Sequence, residues 1–355
     1  MSLVPKIFGK FPKNKQRIKK IKKSQYYYLG RFHNENAFAP IPYWQVFKML
    51  PGLLFGDKRK REPQRSLPVA YEHWDTSDGK KFWWSWLGHS SLAINIDEVS
   101  IIIDPVLSER VSPFKFMGPK RFHPFPDQIF DLKKIDCMIV SHDHYDHLDY
   151  NLIKKIHHRV KHFLVPLGIG EHLEFWGVDP KKIIELDWWE TKQIGKVKFV
   201  LTPAQHTSGR WTGADNQTFW GSWVIEGQEK KLFYSGDSGF FKEWAEIGDH
   251  YGPFDVTFIQ SAAYNRLWKY HHMTPTEVIE AHKLVRGKLL VPVHWSTFDL
   301  AVHRWYEPVI ELKHLARAKD VRIMFPMLGK QNFVSRVSSE PYWWEDYLPK
   351  KTLTK

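Results

Sequence analysis

The sequence is poor in cysteine and lacks long apolar runs. Cys137 is the single cysteine among 355 residues, so no disulfide can form within the chain. No stretch approaches the ~18 consecutive apolar residues of a membrane-spanning helix, and the first residues lack the apolar core of a secretory signal. These absences predict a cytoplasmic protein, with association at the periphery of a membrane left open.

Acidic residues are missing from the first 23 positions, where nine lysines and arginines carry much of the net charge of +13. Two interpretations stay open for this stretch: an electrostatic arm for an anionic membrane surface or a solvated, disordered tail. Nucleic acid is a less favoured partner. We interpret residues 1–29 as a basic, flexible arm, residues 30–80 as an extension packed on the catalytic domain, and residues 81–355 as that domain.

The chain has a dense cluster of metal-ligand side chains directly after the apolar run at residues 135–140. His142, His144, Asp146 and His147 follow one another with the spacing His-x-His-x-Asp-His. An apolar run that stops at a polar cluster predicts a buried strand that delivers a loop to its carboxyl end, where α/β folds place their chemistry. Imidazole nitrogens together with a carboxylate are ligands suited to zinc, iron or manganese.

Three further candidate ligands each follow a short apolar segment of β type. His206 comes after residues 197–203, Asp237 comes after residues 231–236, and His294 comes after residues 289–293. A chance cluster of histidines would not repeat this arrangement at four separate strand ends. The pattern therefore predicts a metal site assembled from loops at one edge of the fold.

The ordered ligand set resembles that of the metallo-β-lactamase superfamily, and longer stretches resemble its N-acylphosphatidylethanolamine-hydrolysing phospholipase D branch. The stretches that carry this likeness are Trp86-Leu87-Gly88-His89, Asp104-Pro105, Met117-Gly118-Pro119-Lys120-Arg121-Phe122, Val165-Pro166-Leu167-Gly168, Trp220-Gly221-Ser222-Trp223, Gly252-Pro253-Phe254-Asp255 and His294-Trp295-Ser296-Thr297-Phe298. The resemblance implies an α+β fold, an αββα sandwich, and a homodimer.

The same resemblance implies two divalent metal ions, with zinc expected and iron or manganese as alternatives. The first ion would be held by His142, His144 and His206, the second by Asp146, His147 and His294, and Asp237 would bridge them. Such a pair lowers the pKa of a shared water so that hydroxide can attack a phosphodiester. The implied products are phosphatidic acid and an N-acylethanolamine.

His272 occupies the position of a further active-site histidine in this branch, where it would act as general acid or as hydrogen-bond donor to phosphate. With Asp146 and Asp237 it completes the implied catalytic set. Two other activities remain open, hydrolysis of a phosphorylated sugar lactone and, less favoured, cleavage of nucleic acid. His89 and Asp104 each have two interpretations, a supporting role at the metal site or an ordinary strand-end turn.

The remaining sequence predicts strands separated by helices. Helices are predicted over residues 150–158, 275–285 and 305–318, and the second has Thr274 as N-cap with Glu277 three residues later. Strands are predicted over 82–87, 92–96, 99–103, 135–140, 163–165, 182–185, 196–201, 218–225, 231–234, 256–259 and 289–293. The apolar run at 321–325 predicts the last strand.

Overall fold

The computed structural model of the chain describes residues 5–36, 61–77, 82–114, 116–211, 213–333 and 342–349. Much of the predicted extension at 30–80 therefore lies outside the described residues. The division of the chain at residues 29 and 80 stays a prediction.

Thirteen of the described strands build two large sheets. The strands are β1 Tyr27–Tyr28, β2 Arg31–Phe32, β3 Trp83–Gly88, β4 Ser91–Ile96, β5 Val99–Ile103, β6 Ile135–Ile139, β7 Val160–Pro166, β8 Ile183–Leu186, β9 Thr191–Ile194, β10 Val197–Thr202, β11 Ser222–Glu226, β12 Lys231–Tyr234, β13 Val256–Gln260, β14 Leu290–Val293 and β15 Gln331–Asn332. One sheet has the order β15-β3-β4-β5-β6-β7-β8, and the other has the order β14-β13-β12-β11-β10-β9. The short strands β1 and β2 form a separate hairpin.

Both large sheets change from antiparallel to parallel pairing where the candidate site lies. In the first sheet β5, β6, β7 and β8 run parallel, and in the second β12, β13 and β14 run parallel. Parallel neighbours end at the same edge of a sheet. The loops after β6, β12 and β14, which carry most of the predicted ligands, are therefore delivered to these edges.

Helices cover the outer faces of the two sheets. They are α1 Lys15–Ile21, α2 Tyr150–Ile156, α3 Gly170–Phe175, α4 Glu243–Tyr251, α5 Pro275–Leu284 and α6 Glu307–Ala318. Alternate residues of β5 face two different cores. Ile101 and Ile103 belong to the core between the sheets. Ile102 faces the opposite way, into a second core with residues of α2 and α3. This alternation produces the layered αββα sandwich, and the predicted α+β class is confirmed.

The predicted last strand at 321–325 is wrong. Within that run only Ile323 pairs with the sheet, through an isolated bridge to Leu290, and the run has no strand assignment. Phe325 is buried in the core, and Val321, Ile323 and Met324 pack against it while partly buried. Apolar side chains in a short segment can pack onto a core without joining a β-ladder, and periodicity does not separate the two cases.

The basic stretch at the amino terminus is docked on the domain over residues 5–29, which corrects the expected flexible arm. Phe8 and Ile21 are buried, and α1 begins at an Asn14 cap whose side chain accepts from the next turn. Arg17, only 8% exposed, pairs with acidic residues of α3 and β8. The first 23 residues contain no acidic side chain. The fold places Glu171, Glu174 and Glu185, which are distant in sequence, beside Arg17.

The described residues contain no helix that combines the length and the apolarity needed to cross a membrane. The buried Cys137 lies in β6, as predicted, and burial raises the pKa of its thiol well above the usual value. This cysteine is therefore an inert part of the core.

Candidate metal centre

The histidine-rich loop begins where β6 ends and is closed by a hydrogen-bonded turn. The backbone N–H groups of His147 and Leu148 donate to the carbonyl of His144, at 3.1 and 2.9 Å. Asp149 then caps α2 by accepting from the Asn151 N–H at 2.8 Å. This compact turn brings His142, His144, Asp146 and His147 towards one point within the ten residues, 140–149, that separate the strand from the helix.

The structure brings all seven predicted ligands together, as two groups of three with Asp237 between them. One group consists of His142, His144 and His206, and His144 Nδ1 lies 2.9 Å from His142 Nε2 and 3.3 Å from His206 Nε2. The other group consists of Asp146, His147 and His294, and His89 lies close enough to be a fourth member. The grouping is the one that the family resemblance implied.

Asp237 lies between the two groups. Its Oδ2 is 3.0 Å from His294 Nε2 and 3.2 Å from His147 Nε2. The same oxygen is 4.0 Å from His142 Nε2 and 3.9 Å from His206 Nε2. A carboxylate oxygen in this position can reach an ion in either group, which is the bridging geometry expected of Asp237.

Asp104 orients the site from behind. Its Oδ2 accepts from His147 Nδ1 at 2.7 Å and from the Tyr234 hydroxyl at 2.6 Å, and its Oδ1 accepts from the Ser141 N–H at 2.7 Å. The Ser141 hydroxyl also lies 2.9 Å from His142 Nδ1. A carboxylate behind a ligating imidazole fixes the ring and raises its basicity. These contacts favour a supporting role of Asp104 at the metal site over an ordinary strand-end turn.

Three residues at the site have left-handed backbone conformations that side chains other than glycine seldom adopt. Their φ angles are +39° for Asp104, +51° for His89 and +70° for His294. The strands hold these positions in place, because the His294 N–H donates to the His89 carbonyl at 2.8 Å. Strain of this kind concentrates at functional sites, and here it turns three polar side chains into the space between the sheets.

His89 and His272 flank the centre. His89 Nε2 lies 3.0 Å from Asp146 Oδ2, which fits a support of that carboxylate. The ring of His272 lies 5.5 Å from the His206 ring and 5.2 Å from the His294 ring. Burial lowers the pKa of His272 to about 3, so the ring is neutral at neutral pH. Ligand atoms of His272, His206 and Asp237 also lie close enough together for these three residues to hold an ion.

Charge at the centre suits a divalent cation. Burial acts to raise the pKa of Asp237, but His147 and His294 hold it well below its usual range, so the carboxylate is ionised. Burial, together with the neighbouring histidines, lowers the pKa of His142 and His206 well below the usual value. Burial acts to lower the pKa of His147 and of His294, but the Asp237 carboxylate raises it. A metal ion that binds here would replace the protons on these two rings, because imidazoles bind metals in their neutral form.

Several buried polar atoms at the centre lack a hydrogen-bond partner among the described residues. They include Asp237 Oδ1 and also His147 Nε2 and His294 Nε2, whose contacts with Asp237 Oδ2 lack hydrogen-bond geometry. A buried polar atom without a partner costs about 1–3 kcal/mol, so a concentration of them calls for a ligand. The donor set and these unpaired atoms together fit divalent metal ions.

Arg210 is a supporting residue that sequence reasoning did not identify. Its Nη1 donates to the carbonyls of Asp143 and Leu148 at 2.6 and 2.9 Å, so one guanidinium connects the start of the histidine-rich loop to its end. The guanidinium also lies 4.1 Å from the centre of the Tyr145 ring. The sequence around Arg210 carries no signal for this role, because the contact joins residues more than 60 positions apart.

The comparisons with known proteins identify the family. Residues 100–295 match the model of the beta-lactamase superfamily domain. An uncharacterised protein of Mycobacterium tuberculosis is 39% identical over 286 residues, which cover 79% of this chain and 77% of that protein. The N-acyl-phosphatidylethanolamine-hydrolyzing phospholipase D 1 of Caenorhabditis elegans is 36% identical over 250 residues, covering 66% of this chain and 70% of that enzyme.

A solved structure agrees at the level of the fold. Igni18, a metallo hydrolase of the archaeon Ignicoccus hospitalis, superposes with a TM-score of 0.55 at 20% identity, over 71% of this chain and 97% of that one. The chain belongs to the metallo-β-lactamase superfamily and is a metal-dependent hydrolase. Within that superfamily it is similar to the N-acylphosphatidylethanolamine-hydrolysing phospholipases D, so the family predicted from the sequence is confirmed.

Proposed function

We propose that this protein is a phospholipase of the D type, which hydrolyses N-acylphosphatidylethanolamine-type phospholipids to phosphatidic acid and N-acylethanolamine. The observation that carries the proposal is the buried cluster of five histidines and two carboxylates around Asp237 Oδ2. The choice of a phosphodiester among possible substrates is supported by the named activity of the C. elegans relative.

The reaction adds water across one phosphorus–oxygen bond. Phosphorus gains an oxygen from water, its bond to the ethanolamine oxygen breaks, and that oxygen takes up a proton. Two divalent ions, when bound, supply Lewis-acid stabilisation of phosphoryl charge and lower the pKa of the attacking water. The protein contributes the residues that would hold the ions, the ionised carboxylate of Asp237 between the two groups, and Asp104, which fixes the orientation of His147.

His272 is the residue that we place against the substrate. Its ring lies beside the rings of His206 and His294, and its Nδ1 has no hydrogen-bond partner among the described residues. A ring N–H at this position is available to a phosphoryl oxygen or to the leaving oxygen. His272 thus stabilises charge that develops on the substrate, a role distinct from holding metal.

Exposed aromatic side chains beside the metal loop support a substrate that resides in a membrane. Tyr145 lies between two candidate ligands, and its hydroxyl donates to the carbonyl of Arg210, the neighbour of Trp211. The Trp211 ring lies 4.2 Å from that of Phe8, which lies 6.3 Å from that of Phe114. Trp211 is 49% exposed and Phe114 53%. Aromatic side chains favour the interface between water and lipid.

The chemistry is tested with purified, metal-loaded protein and N-acylphosphatidylethanolamine dispersed in detergent. Mass spectrometry should detect phosphatidic acid and N-acylethanolamine in equal amounts, and elemental analysis should find about two divalent ions per chain, the number a bridged site holds. Asp237→Asn should remain folded and lose turnover, because an amide neither bridges nor neutralises two cations equally well.

The competing activities supply the contrary outcomes. A phosphorylated sugar lactone, RNA and single-stranded DNA are offered to the same preparation. If the metal-loaded protein turns over one of these and leaves the phospholipid intact, the phospholipase assignment is wrong. If the protein retains no more than one ion after reconstitution, or if folded Asp237→Asn hydrolyses phospholipid normally, the bridged site is wrong.

A further inference from the structure

The amino-terminal segment contacts the backbone of a candidate metal ligand through Asn34. The Asn34 Nδ2 group donates to the His206 carbonyl at 2.8 Å, and the His206 N–H donates to Asn34 Oδ1 at 3.0 Å. The indole N–H of Trp220 donates to the same Oδ1 at 3.1 Å. One side-chain amide therefore binds both backbone groups of His206, although 172 positions separate the two residues.

Within the described residues, the ring of His206 lacks the hydrogen-bond partner on Nδ1 that the rings of His147 and His142 have. His147 Nδ1 is held by Asp104 at 2.7 Å, and His142 Nδ1 lies 2.9 Å from the Ser141 hydroxyl. The buried Nδ1 of His206 has no hydrogen-bond partner in the described parts of the chain. Ligating imidazoles are ordinarily oriented by a partner on the second ring nitrogen, so the orientation of His206 has to be set by its backbone.

The segment that carries Asn34 is itself held on the domain. The Phe32 N–H donates to the Asn216 carbonyl at 2.8 Å, and the Gln217 side chain donates to the Gly30 carbonyl at 3.0 Å. The Phe32 ring is fully buried and stacks on Phe219 at 4.5 Å. Asn34 therefore extends from a fixed support towards the loop of His206.

We propose that Asn34 is a positioning residue for the metal centre, which holds His206 through its backbone where no ring partner does so. The two hydrogen bonds fix both the N–H and the carbonyl of His206, and Trp220 fixes the amide that makes them. Loss of Asn34 leaves the ring of His206 free to turn away from His144 and Asp237. The inference concerns retention of metal and is independent of which ester the enzyme hydrolyses.

Two variants of neighbouring asparagines form a matched test. Asn34→Ala removes the amide from His206, whereas Asn36→Ala removes an amide that donates to the Glu243 carboxylate, at 3.0 and 3.1 Å. Zn²⁺-loaded proteins are titrated with a chelator, and the retained zinc is measured by elemental analysis. Asn34→Ala should lose zinc at a free-metal level about 10- to 100-fold higher than wild type, the usual effect of losing a partner of a metal ligand. Asn36→Ala should match wild type.

A second readout reports ligand geometry. Visible absorption of the Co²⁺-loaded proteins depends on the geometry of the ligands, so Asn34→Ala should change the spectrum while Asn36→Ala leaves it unchanged. Asn34→Asp, which retains the acceptor for the His206 N–H, serves if Asn34→Ala does not fold, and it should also retain zinc less well. Equal zinc retention and equal spectra in the folded Asn34 variant and wild type would overturn the proposal. The same weakening in Asn34→Ala and Asn36→Ala would overturn it too, because the effect would then be a general loosening of the segment.

Discussion

At the scale of single residues, the role of His272 is the most direct one to test. His272→Ala should retain its metal and lower kcat by about 10²–10⁴, the range for loss of a group that transfers or stabilises a proton in the transition state. His272→Asn keeps a side-chain N–H and should recover part of the loss if hydrogen bonding to phosphate is the main contribution. Steady-state kinetics on detergent-dispersed phospholipid, with metal analysis of each variant, measures both effects.

Two results would contradict this role for His272. Loss of metal from His272→Ala would make the residue a ligand, in agreement with its position within reach of His206 and Asp237. Unchanged kinetics with full metal content would make it a structural histidine at the start of α5.

The candidate ligands could be named from the sequence, and most of the residues that contact them could not. His142, His144, Asp146 and His147 form one contiguous motif, so their chemistry is visible without a fold. The partners that orient them come from distant positions: Tyr234 reaches Asp104 across 130 positions and Asn34 reaches His206 across 172. Such contacts exist only after the sheets have assembled, and no local pattern encodes them.

At the scale of elements, α1 is attached to the domain by a buried charge network. Arg17 donates to Glu171, Glu174 and Glu185 at 2.6–2.7 Å. The start of α3 has glycine where the guanidinium approaches, since a Cβ at Gly170 would lie 2.7 Å from Arg17 Nη2. Removing one partner of a buried ion pair leaves uncompensated charge, which is the costly change.

Arg17→Ala should therefore lower the free energy of unfolding by about 3–5 kcal/mol, the range for breaking a buried ion pair. Lys19→Ala, an exposed position on the same helix, should change it by less than about 0.5 kcal/mol. Chemical denaturation of the two variants and wild type, at equal metal content, makes the comparison. Similar stabilities of Arg17→Ala and Lys19→Ala would show that the network does not hold α1.

Buried strands were predicted more fully than exposed ones, although the predicted run 218–225 begins at four buried residues that precede β11. The bounds of β5 and β12 agree with the predicted runs because both are short and consist mostly of apolar residues. The strand β9 was missed because most of its residues are exposed and polar, and it is added to the sheet by antiparallel pairing with β10. The wrong strand at 321–325 shows the opposite error, an apolar run that packs without a ladder.

At the scale of the whole molecule, the docked amino-terminal segment changes how its positive charge can act. The sequence predicted either a membrane arm or a free tail, on the assumption that nine cations without anions must face solvent. The fold neutralises Arg17 with three carboxylates and pairs Lys10 with Glu171 at 2.9 Å. Other lysines of the segment stay exposed on the surface of the domain; they are Lys13, Lys15, Lys19, Lys22 and Lys23.

Binding to an anionic membrane is best tested by changing these five lysines to glutamine, because deleting residues 1–23 would also remove the buried Phe8, Arg17 and Ile21. Each exposed cation contributes about 1 kcal/mol near an anionic surface, so the variant should bind phosphatidylserine-containing vesicles at least about tenfold less at low salt. High salt should weaken wild-type binding, because charges are screened within ~8–10 Å. Co-sedimentation with vesicles measures both. Hydrolysis of detergent-dispersed substrate should be unchanged, since none of the five contacts the metal centre in the described structure.

A control variant with equal charge loss takes glutamine at exposed lysines elsewhere, namely Lys133, Lys181, Lys192, Lys283 and Lys319. If both variants bind like wild type at every salt concentration, the exposed lysines of the segment serve solubility and not membrane binding; if both lose binding equally, net charge and not this surface attracts the protein to the bilayer.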